Sequence, residues 1–101
     1  MGSEIVIFHL SRFWPPKEPR EKQVRLYEEI KSGRKDFEVR DDKKYWRKKL
    51  LGEKRPSKAW FVECYPKGNL PRLEADITKI SDKELPDKIV VYFTNVKETE
   101  H

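Results

Sequence analysis

Eight consecutive residues, Gly33-Arg34-Lys35-Asp36-Phe37-Glu38-Val39-Arg40, hold the densest chemistry in the chain. Lys35 and Arg40 are suited to a phosphate or a carbonyl oxygen, Arg40 in a bidentate manner. Glu38 between them can orient both cations or take a proton from a base or water. Arg34 flanks the group. Regular strand alternation puts Glu38 and Arg40 on one face and Lys35 on the other with Phe37 and Val39. The three charges therefore meet only if the backbone departs from alternation near Asp36, by a twist or a bulge. Otherwise the same residues form a solvated ladder of ion pairs.

A second constellation follows at once. From Lys43 to Lys58 there are eight basic residues (Lys43, Lys44, Arg47, Lys48, Lys49, Lys54, Arg55, Lys58) against the single acid Glu53, a net of +7. The whole chain is only +5, so the remainder is −2 and the positive charge is local. Tyr45 and Trp46 lie inside this run and Trp60 just beyond it. Cations beside aromatic rings suit single-stranded nucleic acid, whose phosphates take the charge while bases stack. The bland counterpart is a solubilising loop whose rings pack on the core, and Trp60 is expected to be core. Two further residues are candidates for the wall of a cleft: His9, from the first strand, and Glu63, as a second carboxylate. His9 has no His or Cys at metal-ligand spacing, so no metal is expected, and no cofactor fingerprint is present.

Positioning these groups requires a small fold. At 101 residues the chain has room for one core, and it is expected to be a single domain over residues 1–101. Only 36% of its residues are apolar and 41% are charged, but three Trp, four Tyr and five Phe supply enough buried area to fold. Glu4 to Leu10 is β-branched and apolar on both alternating faces, which predicts a well-buried strand. Pro15, Pro16 and Pro19 predict a loop, with Trp14 over the barrel mouth. Val24, Leu26, Tyr27 and Ile30 predict one principal amphipathic helix over 20–32, closed by Gly33 as the left-handed cap. Strands are predicted over 35–40, 59–65, 73–78 and 88–96, with a helical turn near 45–51 and a turn over 66–71. Trp60, Val62 and Cys64 share a face, and Cys64 is assigned to packing. The expected architecture is an α+β domain: a small, mostly antiparallel β-barrel with one principal helix packed against it.

The octapeptide resembles the G-x-K-x-x-E-x-R signature of the ASCH domain, a PUA-like β-barrel family of about this size. The order of elements around it is similar too. The resemblance implies that the motif lines a cleft that binds RNA or a nucleotide-like ligand. Some small family members look like RNA-processing or nucleoside-modifying enzymes. One hydrolase branch acts on acylated pyrimidine nucleosides, using the motif lysine to activate a nucleophile and a threonine where this chain has Glu38. Glu38 has no hydroxyl to attack with, so the chain departs from that branch.

Three functions follow as expectations. The first is binding of RNA or a nucleotide-like ligand by Lys35, Glu38 and Arg40, with Arg34, Lys43, Lys44, Tyr45, Trp46, Arg47 and Lys48 contributing. The second is a small hydrolase or ribonuclease with Lys35 and Glu38 in proton transfer. The third is a protein-interaction module with a basic face. One cysteine, no membrane-length apolar run and no signal-peptide apolar core lead to the expectation of a cytoplasmic monomer without membrane partners.

Overall fold

The computed structural model describes residues 4–63 and 71–99. The chain runs β1 (Ile5–Leu10), a 3-10 turn (Arg20–Lys22), α1 (Leu26–Lys31), β2 (Phe37–Asp41), α2 (Lys44–Leu51), β3 (Lys58–Glu63), β4 (Arg72–Ser81) and β5 (Lys88–Thr99). The five strands form one sheet in the order β1-β3-β4-β5-β2, curled into a half-barrel. β1 pairs with β3 in parallel, and the other three pairings are antiparallel. β4 and β5 slip register between Glu74 and Asp76 and again between Ile77 and Lys79. Such irregularities raise the local twist, which curls the sheet.

The inner face is the core. Val6, Phe8 and Leu10 of β1, Ala59 and Phe61 of β3, Leu73 and Ala75 of β4, and Ile89, Val91 and Phe93 of β5 are buried there with Tyr27, Ile30 and Leu50 from the helices. Aromatic contacts run through it: Phe61 lies 5.5 Å from Phe8 and 4.8 Å from Phe93, between ring centroids.

Four sequence expectations change. β1 is not buried on both faces: its side chains alternate, and Ile5 and Ile7 on the outer face of the sheet are 37% and 45% exposed. The principal helix over 20–32 shrinks to six residues, because Gln23 and Arg25 are extended and Val24 forms an antiparallel bridge with Trp14. Gln23 donates its side-chain amide to the Pro15 carbonyl of the proline loop, and Tyr27 and Ile30 are the buried residues of the helix, with Leu26 partly buried beside them. The longer helix is α2, within the basic run. On β3 the core takes Ala59 and Phe61, so Trp60 is only half-buried; its indole N–H donates to Glu74 at 3.0 Å and Arg72 stacks on its ring. Cys64 and most of the 66–71 turn lie outside the described residues. Gly33 does take the left-handed conformation, with φ +85°, that a helix end asks of glycine.

Among the described residues no helix is long and apolar enough to cross a membrane.

Candidate functional site

The two ends of the sheet order, β1 and β2, are the open edges of the half-barrel. The motif strand is one of them. Glu38 and Arg40 project from β2 toward the interior, and Glu38 is 3% exposed, the only buried charged residue among those described. A carboxylate so removed from water needs partners on both oxygens. Lys35 Nζ donates to one at 2.9 Å, and Arg40 Nη1 donates to the other.

Lys35 reaches Glu38 without a bulge. β2 begins only at Phe37, so Lys35 belongs to the turn after α1 and alternation does not govern it. Its N–H donates to the Glu29 carbonyl at 3.0 Å, while the Asp36 carbonyl accepts from Phe93. The predicted strand start at residue 35 is thus displaced by two residues, and that displacement lets the three charges converge.

Arg40 then spans the seam. Its Nη2 donates to the His9 carbonyl on β1 at 3.3 Å, and its guanidinium sits 4.9 Å from the Phe8 ring centroid and 5.3 Å from that of Trp46. One side chain therefore ties β2 to β1 where no ladder joins them. Cation–π contact and the carbonyl both favour arginine over lysine in this position.

A cleft of about 390 Å³ opens over this triad, walled by His9, Leu10, Ser11, Trp14, Leu26, Lys35, Glu38, Val39 and Arg40. Trp14 stands at its edge, 48% exposed, held by paired backbone bonds to Val24 at 2.9 and 2.8 Å. With two cations against one carboxylate, the triad presents net positive charge beside an exposed indole. Nothing in its spacing distinguishes Ser11, Leu26 is readable only as part of the helix's apolar face, and Trp14 is marked by the prolines after it.

The remaining candidates separate. Arg34 turns away to pair with Glu29 and does not line the cleft. Glu63 is taken by Arg25, whose Nε and Nη2 donate to its two oxygens at 2.8 and 2.7 Å. Those hydrogen bonds, against an opposing effect of burial, hold the Glu63 carboxyl below its ordinary range. On α2, Trp46 stacks on Phe8 at 5.5 Å and so belongs to the core, while Tyr45 meets it edge-on and is 62% exposed. Arg47 pairs with both Asp42 and Asp82. Lys43, Lys44 and Lys48 are exposed. Among the described residues no group of three or more His, Cys, Asp or Glu side chains is placed to hold a metal ion.

No model of a known protein family matches the chain, and no curated protein matches it.

Proposed function

We propose that the chain is an RNA- or nucleotide-binding domain of the ASCH type, with its ligand seated in the seam cleft against Lys35 and Arg40. One observation carries this reading. Buried Glu38 fixes two cations on the wall of an open cleft, and the pair exceeds it in charge. Glu38 acts as an anchor, Lys35 and Arg40 present their remaining N–H groups to a phosphate or carbonyl oxygen, and Trp14 offers a face for a base. The lysines of α2 add charge outside the cleft.

Binding is better supported than hydrolysis. Both oxygens of Glu38 already accept charge-assisted bonds, so proton transfer through it requires one of them to be vacated first. The other candidate carboxylate, Glu63, is held by Arg25. Anisotropy titration with labelled single-stranded RNA tests the proposal. Affinity should fall linearly with salt on logarithmic axes. Binding indifferent to salt, or none at low salt, overturns it. Hydrolysis of RNA or acylated nucleosides that Lys35→Ala abolishes in a folded protein would instead establish an enzyme.

A further inference from the structure

We propose that the ligand is a single-stranded oligonucleotide that leaves the cleft along the outer edge of β1, rather than a free nucleotide or a duplex; this rests on the nucleic-acid reading above. The cleft is not isolated. It shares His9 and Arg40 with a hollow of about 330 Å³ between β1 and α2. That hollow shares Ile5, Val6, Tyr45 and Lys49 with a third space of about 390 Å³, which ends at Lys54 and Pro56. Shared lining sets the three in series along β1, a trough stepped where Arg40 meets the His9 carbonyl. Six strand residues at roughly 3.3 Å each make it about 20 Å long. That length suits roughly four nucleotides, the low end for a single-strand-binding barrel.

The walls fit a single strand. On the β1 side, Ile5 and Ile7 are exposed apolar residues on the wall of the trough. On the α2 side, Tyr45 and Lys49 lie one helical turn apart on the same flank, a ring followed by a cation. Trp46 stacked on Phe8 fixes α2 beside β1, so both walls of the trough are held in place.

Charge on α2 and the turn after it is divided in the same sense. Arg47 is neutralised by Asp42 and Asp82, away from the trough. Lys48, Lys49 and Lys54, which line the trough, have no carboxylate within ion-pairing distance among the described residues. Glu4 at the far end is the one acid on the trough beyond Glu38. A polyanion threaded here would supply the counter-charges the protein does not.

The test is a length series on the full chain: labelled oligouridylates of one to eight nucleotides at low salt, with an RNA duplex and a polyglutamate peptide of matched charge. Affinity should climb at least tenfold up to roughly four nucleotides and then level off. The logarithmic salt slope should steepen by about 0.7 for each phosphate engaged. In Lys49→Glu/Lys54→Glu, both positions being exposed, the ratio of tetranucleotide to mononucleotide affinity should drop at least tenfold. Equal affinity for one and four nucleotides overturns the trough and leaves the cleft reading standing. No binding at any length overturns both. Duplex or polyglutamate binding as tightly as the tetranucleotide overturns the single-strand assignment in favour of an unselective basic face.

Discussion

Two clusters of charge adjoin α1, one following it in the chain and one built on its own residues and Arg25, and they differ in what surrounds them. In the seam, Lys35, Glu38 and Arg40 come from six consecutive positions, their one acid is buried, and they face an open cleft. In the other, Arg25 holds Glu63 of β3, while Tyr27 and Lys31 both bond Glu98 of β5. There the acids outnumber the cations once Glu28 joins Arg25. None of these side chains lines the cleft. The second cluster staples one helix to two strands, and its charges are spent in doing so. The first holds a surplus of cations beside empty space. Ion pairing alone therefore identifies no site; what sets the seam apart is an unbalanced set fixed by a buried counter-ion next to a cleft.

The sharpest way to break this comparison is to remove the buried acid. Glu38→Gln leaves Lys35 and Arg40 facing each other without a counter-charge, and should cost about 3 kcal/mol of stability, the low end for breaking a buried pair because both cations keep some water. Urea unfolding measures it. Adding Lys35→Met should restore part of the loss, since the two positions share one network. Glu63→Gln, with Arg25 partly in water, should cost at most about 1 kcal/mol. Equal losses at Glu38 and Glu63 would erase the distinction between the clusters.

Arg40→Lys asks what the seam cation does beyond carrying charge. Lysine preserves the sign but loses the forked donors to Glu38, Val39 and His9 and the packing over Phe8 and Trp46. RNA affinity should fall about tenfold, or ~1.4 kcal/mol. An unchanged Kd would mean that charge alone suffices there.

Much of this was legible beforehand, and the failures have physical causes. The Gly33 cap, the position of the motif after a helix, and the five strands follow from local chemistry. The convergence of Lys35 with Glu38 was not readable, because it depends on a strand beginning two residues late, which pairing with β5 decides. The exposure of Ile5 and Ile7 also escaped, since a β-branched run looks the same whether one face of its sheet is covered or both. Trp60 is misplaced for a similar reason: alternation cannot say which face of β3 turns inward, and it is Ala59 and Phe61, which leaves the indole to Glu74. Arg47 looked like its lysine neighbours until the fold brought Asp82 beside it.

Tyr27→Phe probes the stapling cluster with a smaller change. It deletes one hydroxyl donor to Glu98, a 2.8 Å bond to a partly exposed carboxylate. About 1 kcal/mol should be lost in thermal unfolding, with RNA affinity untouched. A weakened Kd would show that the two clusters communicate through α1.

The smallest expected effect is one of pH, and it belongs to the same cluster. The hydrogen bonds from Arg25 lower the Glu63 carboxyl below its ordinary 4.5, and those from Tyr27 and then Lys31 lower Glu98 likewise. A carboxyl that is more acidic folded than unfolded stabilises the native state fully above its unfolded value, and that stabilisation fades as pH falls through the folded one. Stability should therefore decline as pH drops below about 4.5, and Glu63→Gln should flatten that decline while lowering stability at neutral pH. Because Arg25 remains partly in water, the Glu63 share should stay under about 1 kcal/mol. A variant whose acid limb matches the wild type would mean that Arg25 and Glu63 contribute nothing measurable, leaving the bonds of Tyr27 and Lys31 to Glu98 as the polar ties between α1 and the sheet.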